Sequence, residues 1–265
     1  MAIYINENRK IKSIFASVNN EKKSIVSAWV NKDGIPTKVF SLDRGIVDPV
    51  DPYEVAAEGE NNNWKYILDD ENNIITLQKY INTVVTDIIV YANYIVNGKI
   101  YKTQLANFGY PGSGGYSYSY MFGAKNKIET INFSNGIDTS NVTNMTEMFR
   151  DCTSLIKLDL SIFDTFNVTK MNYMFSGCKS LPNINLNSFD TSNVTSMREM
   201  FYNCYSLTEL DLSSFDTNNV TSMNSMFSGT SNLKTIYVTD RKWSTSNATT
   251  VGMFSGCGTS EVTYK

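Results

Sequence analysis

Asp138-Thr-Ser-Asn-Val-Thr-Asn-Met-Thr-Glu-Met-Phe-Arg-Asp-Cys-Thr-Ser-Leu-Ile-Lys-Leu-Asp-Leu-Ser-Ile-Phe163 is followed by near-copies that start at Asp164, Asp190 and Asp216, a period of 26 residues. A looser copy precedes them, with Met121-Phe122, Ile128, Ile131 and Phe133 standing 27 residues ahead of Met148-Phe149, Leu155, Leu158 and Leu160. A truncated copy follows in Met253-Phe254 and Cys257. A fixed period in this range marks a solenoid, because one unit cannot bury its apolar face alone and stacked units share one continuous core.

Within a unit, Leu155, Leu158 and Leu160 spell L-x-x-L-x-L, whose last two leucines face the same way at period two. Val142, Met145, Met148, Phe149 and Cys152 stand three to four apart, as on one helix face. The pattern predicts one short strand and one short helix per rung, with Thr143 at the N-cap, so the fold class expected is an α/β repeat solenoid. Strands stack at roughly 4.8 Å and packed helices at about 8 to 10 Å, which bends such a stack and makes its strand side concave.

The outward strand positions carry the variation. One column reads Thr130, Lys157, Asn183, Glu209, Thr235 and the next Asn132, Asp159, Asn185, Asp211, Tyr237, while the inward positions stay apolar. A constant scaffold with one variable face is how repeat proteins carry binding. Lys157, Asp159, Asn183, Asn185, Glu209, Asp211 and Tyr237 are therefore the candidate binding residues.

The run FDTSNVTSMREMFYNCYSLTELDLSSFDTNNVTSMNSMF, residues 189 to 227, resembles the repeat of BspA-like leucine-rich-repeat surface proteins of bacteria, and the resemblance extends over about residues 116 to 258. It implies a leucine-rich-repeat solenoid of the α/β class and an extracellular attachment or binding role without catalysis. The start of the chain, Met1-Ala-Ile-Tyr-Ile-Asn-Glu-Asn-Arg-Lys, shows no charged and apolar export signal and no lipoprotein cysteine, a departure from that family.

The remaining chain reads as three further segments. Residues 1 to 42 alternate like a small β-module, with turns expected at Asn19-Asn20 and Asp33-Gly34, and resemble a short β-repeat of tail-associated proteins from phages of Gram-positive bacteria. Residues 43 to 63, with two of the five prolines and an asparagine run, read as a linker. Residues 64 to 106 resemble the β-strand unit that often precedes BspA-like repeats, with a hairpin at Asn97-Gly98, and are expected to cap the first rung. The solenoid then runs from 107 to 265, entered through a Tyr/Ser/Gly-rich stretch at 107 to 120 and closed by a strand in TSEVTY.

Composition narrows the functions. A net charge of -3 offers no clustered cation for nucleic acid, and no run of 18 apolar residues exists to insert in a membrane. With no histidine, the commonest general base and metal ligand is missing, whereas 16 tyrosines and 14 phenylalanines suit recognition. Cys152, Cys178, Cys204 and Cys257 occupy one position of successive units, and a line of thiols cannot make a tetrahedral metal site, so they read as core. The Asn-x-Thr triplets fit glycosylation by pattern, yet recur because the turn recurs. Asp138, Asp164, Asp190 and Asp216 are expected to accept hydrogen bonds from their own connectors.

No cofactor or metal is expected. The expected function is a non-catalytic protein that attaches a phage particle or bacterial surface to a protein or glycan of a cell surface, virion-associated or extracellular, with residues 1 to 42 docking to the parent assembly. The alternative is a structural spacer. An enzyme, for instance an inverting glycan hydrolase pairing Asp159 with Asp211, is the weakest reading, since nothing marks a general acid.

Overall fold

Alternating apolar residues from Trp64 onward build strands because every second side chain can be buried on one face. The computed structural model describes residues 27–32, 35–41, 55–56, 60–82, 84–106, 121–123 and 126–265. The chain forms two compact units, Met1–Val55 and Ala56–Lys265. In the first, β1 (Ser27–Lys32) and β2 (Ile35–Ser41) pair antiparallel, with Lys32 opposite Ile35. Asn19-Asn20, Asp33-Gly34 and the stretch 107 to 120 lie outside the described residues.

The short β3 (Val55–Ala56) stands at the boundary. In the second unit a 3-10 turn, Glu60–Asn63, leads into β4 (Trp64–Asp69), β5 (Ile74–Tyr80), β6 (Asp87–Val90), β7 (Asn93–Val96) and β8 (Lys99–Leu105). Strands β7-β8-β5-β4 are hydrogen-bonded in that order. Asn97 and Gly98 both have positive φ, 52° and 76°, the geometry of a type I′ hairpin, and they join β7 to β8. Strand β6 leaves this sheet to pair in parallel with β9 (Thr130–Phe133), the strand of the first rung. The Tyr80 N–H donates to Met121 O at 2.9 Å and Trp64 meets Phe122 edge-on at 5.6 Å, so strands 64–105 cover the first rung with both backbone and core.

Six rungs then stack, and their phenylalanines Phe122, Phe149, Phe175, Phe201, Phe227 and Phe254 form one column with ring centroids 5.5 to 5.9 Å apart. The strand wall holds β10 (Lys157–Leu158) beside β9, and β12 (Thr235–Val238) between β11 (Glu209–Asp211) and the terminal β13 (Thr263–Tyr264), all parallel. The third rung has no strand. Pro182 stands there where Ile156 and Lys234 give backbone N–H groups to the preceding rung, and proline has none to give.

The expected helix in each rung is not there: no α-helix occurs among the described residues. Met145, Met148, Phe149 and Cys152 are all buried as their spacing required, but two tight turns bring them inward. Glu147, Tyr173, Glu199 and Ser225 have φ of 54° to 61°, and so do Asp151 and Asn203 at 57°, with Gly177 and Gly229 in the same column. A residue at positive φ ends a right-handed helix.

The backbone instead bonds from rung to rung. The N–H groups of Met145, Glu147, Phe149 and Asp151 donate to the carbonyls of Lys170, Asn172, Met174 and Ser176 at 2.7 to 2.9 Å, while Met148, Arg150 and Cys152 bond back three residues. The alternation repeats in the next rungs. Without packed helices, helix spacing gives no ground for a concave strand side, and the variable surface is a strand face.

The connector wall is laddered by side chains. Buried Thr165 donates its hydroxyl to Asp190 O at 2.9 Å and accepts from Asp190 N at 2.8 Å, and Thr191 does the same with Asp216. Asn167, Asn193 and Asn219 give their amide N–H to the preceding rung's carbonyl at 2.7 to 2.9 Å. The nitrogen that glycosylation would use is thus a structural donor. Thr143 is no N-cap: its carbonyl accepts from the backbone and hydroxyl of Thr169. Asp138, Asp164, Asp190 and Asp216 each accept the backbone N–H two residues on, at 2.9 to 3.1 Å. The thiols of Cys152, Cys178 and Cys204 are buried and point to carbonyls of the preceding rung, with no disulfide among the described residues. Burial pushes the Cys178 thiol well up and that of Cys204 to about 12, which leaves them unreactive.

Candidate functional site

The strand face places the candidate residues in two columns, and the parallel register says which of them meet. Thr130 is opposite Lys157, Glu209 opposite Thr235, and Asp211 opposite Tyr237. The cap and the C-terminal strand extend both columns: Asp87 lies opposite Thr130, Ile89 opposite Asn132, and Thr263 opposite Tyr237. Asn183 and Asn185 are exposed on either side of buried Ile184, in the rung without a strand. They lie between the two sheets and have no ladder partner among the described residues.

The second column does two jobs. Asp159 Oδ1 accepts the Ser161 N–H at 2.9 Å, Asn185 Oδ1 accepts from Asn187 at 3.0 Å, and Asp211 Oδ1 accepts from Ser213 at 2.9 Å. Each turns the chain back on itself by accepting the N–H two residues on, a role that Asp and Asn fill better than other side chains. The restriction of this column to Asp and Asn over three rungs therefore has a structural cause. The freer column, Lys157, Asn183 and Glu209, is exposed and carries opposite charges at its two ends.

Ionisation follows the hydrogen bonds. The backbone and hydroxyl of Ser161 hold the Asp159 carboxyl below the usual carboxylate range. Partial burial pushes Asp211 up, but the Lys265 ammonium and the Ser213 donors outweigh it and hold it low. A glycosidase acid would need a raised value, so this geometry works against the Asp159 and Asp211 pair as acid and base.

At the C-terminal end Lys265 reaches back over the columns. Its Nζ is 2.8 Å from Asp211 Oδ2 and 3.9 Å from the centre of the Tyr237 ring, which makes an ion pair and a cation–π contact at once. Sequence reasoning did not include Lys265, Asp87, Ile89 or Thr263 in the face. The strands of Asp87, Ile89 and Thr263 were visible in the alternation, but the pairing of the cap strand with the first rung, 43 positions apart, falls outside the 26-residue period.

The fold and face define a class: a parallel solenoid of about 26 residues per turn, capped by a β-sheet, with one variable face. The chain matches the family described as "Mycoplasma protein of unknown function, DUF285" over residues 116–238 and 183–261, which together span more than half of its length. It belongs to that family. No curated protein matches the sequence.

Among solved structures it is similar to a leucine rich cell surface protein from Faecalibacterium prausnitzii A2-165, with 19% identity and a TM-score of 0.47, over 79% of this chain and 54% of that one. It is also similar to a leucine-rich repeat protein from Bacteroides ovatus ATCC 8483, with 16% identity and a TM-score of 0.43, over 67% of this chain and 48% of that one. The T. pallidum leucine rich repeat protein shares 16% identity at a TM-score of 0.45, over 76% of this chain and 89% of that one. The chain spans about half the length of the first two. No helix among the described residues is long and apolar enough to cross a membrane.

Proposed function

We propose that this is a non-catalytic binding protein of the cell-surface or particle-surface kind, which recognises a protein or glycan on a cell through its strand face. The single observation that supports this reading is the pair of residue columns. They run from Asp87 and Ile89 in the cap to Thr235, Tyr237 and Thr263, on a wall whose inward side is uniformly apolar. The description of one similar structure as a cell surface protein agrees with it. In this reading residues 1 to 42 dock to the parent phage particle or bacterial surface and the solenoid meets the target, whereas a pure spacer would have no use for Lys157, Asn183 and Glu209.

The test spares the turn-forming column. Lys157→Glu combined with Glu209→Lys reverses charges on exposed side chains, and retention of the purified chain on whole bacterial cells and on immobilised cell-wall glycan is measured before and after protease treatment of the cells. Loss of retention with an unchanged melting temperature supports the face, and protease sensitivity assigns protein against glycan. Retention equal to wild type overturns it and favours the spacer.

A further inference from the structure

The cap holds a cavity of about 470 Å³, beside the start of the strand face. Its aromatic wall is Trp64, Tyr80 and Tyr91, with Trp64 and Tyr80 packed edge-on at 4.9 Å. Two carboxylates, Glu60 and Asp87, enter it, and no lysine or arginine stands among its described lining residues. Asn82 and Asn63 also line it, and each gives one amide hydrogen to a neighbour. Asn82 Nδ2 donates to Asn63 Oδ1 at 2.9 Å, Asn63 Nδ2 donates to Glu60 Oε2 at 2.9 Å, and Asn82 Oδ1 accepts the Val84 N–H at 2.9 Å. The chain of amides ends on a carboxylate and holds it in place.

An independent observation is the Tyr80 hydroxyl. Tyr80 is only 4% exposed, and its hydroxyl has no hydrogen-bond partner among the described residues. Burial, then the charge of Glu60, pushes this phenol up to about 12, so it stays neutral. Buried hydroxyls are normally satisfied, and one left open on a cavity wall calls for an occupant. The Asp87 carboxylate accepts from the hydroxyls of Thr86 and Thr130, which hold it ionised, yet each of its oxygens has a second lone pair.

The cavity sets two carboxylates beside a neutral phenol whose oxygen accepts as well as donates. Its field is negative, and its walls are aromatic faces. A ligand that donates hydrogen bonds and carries positive charge meets this field and these faces; a neutral sugar hydroxyl gains nothing from the charge. We propose that the cap cavity binds a primary ammonium group, supplied by a lysine side chain or by the amino terminus of a partner chain. The proposal does not rest on the strand-face reading.

The test is calorimetric titration of the full chain with four probes: Nα-acetyl-lysine methylamide, alaninamide, choline and N-acetylglucosamine. Binding of either of the first two, weakened by added salt, supports the site, and which of them binds distinguishes side chain from amino terminus. Glu60→Gln should weaken that binding at least ten-fold and Tyr80→Phe several-fold, with Glu209→Lys on the strand face leaving it unchanged. Response to choline or N-acetylglucosamine alone, no response at all, or Glu60→Gln and Tyr80→Phe variants that bind as wild type would overturn it. The Lys157 and Glu209 variants fail or succeed on cells whatever these titrations give.

Discussion

Phe201 is the sharpest probe of how the stack is held. It is fully buried, sits between Phe175 at 5.6 Å and Phe227 at 5.9 Å, and gives its backbone N–H to Met226 O at 2.9 Å. Phe201→Ala removes a side chain worth about 1.5 to 3 kcal/mol in burial alone and two ring contacts worth about 0.5 to 1.5 kcal/mol each. Rung spacing is set by backbone hydrogen bonds, so the gap closes poorly and the expected cost is about 3 to 5 kcal/mol. Phe254 is only partly buried and stacks on Phe227 alone. Its removal should cost about half as much, because one interface is lost and solvent already reaches the other face. Urea unfolding followed by circular dichroism gives both numbers, and hydrogen exchange shows whether amides of rungs on both sides of Phe201 lose protection. If Phe201→Ala proves no more costly than Phe254→Ala, the continuous phenylalanine column does not carry the stability assigned to it.

Gly177 has φ +75°, and a Cβ there would lie 2.3 Å from Asp151 Oδ1. The left-handed backbone strains an alanine there, and the overlap with the Asp151 side chain, which has the same left-handed backbone in its own rung, adds to it. Gly177→Ala should cost about 1 to 3 kcal/mol, and Asp151→Gly in the same chain should return much of it in a double-mutant cycle read by thermal melting. Full additivity of the two would refute the contact.

Asp159 and Asp190 both have folded pKa values below the ordinary one, Asp159 through the backbone and hydroxyl of Ser161 and Asp190 through the hydroxyl and backbone of Ser192. Their contribution is complete above the unfolded value of about 3.9 and is lost as pH falls through the lower folded values. The melting temperature should therefore hold from neutral to about pH 5 and drop below about pH 4. Asp159→Asn with Asp190→Asn, which keeps the turn acceptors as Asn185 does naturally, should flatten that drop. An unchanged acid slope would rule out these carboxylates as its source.

The repeat itself was fully legible in the letters. A 26-residue period places Phe122 through Phe254 in one column and the cysteines in another without any coordinates, since equivalent residues of a stack must superpose. The Asx role of Asp164 and its equivalents, and the type I′ turn at Asn97-Gly98, were equally local. They depend on one residue's side chain or φ and not on distant partners.

The helix was not legible, and the reason is physical. Burial at three- and four-residue spacing tells which side chains turn inward, not which carbonyl their N–H groups choose. Met145, Phe149 and Asp151 donate to a rung 25 residues later, and the positive φ of Glu147, Tyr173 and Glu199 leaves almost no trace in residue type. The cap cavity had the same character. Glu60, Asn63, Asn82 and Asp87 carry no motif in the chain, and only the tertiary structure, by closing β4, β5 and β6 around one volume, sets two carboxylates against a buried tyrosine whose hydroxyl has no partner among the described residues.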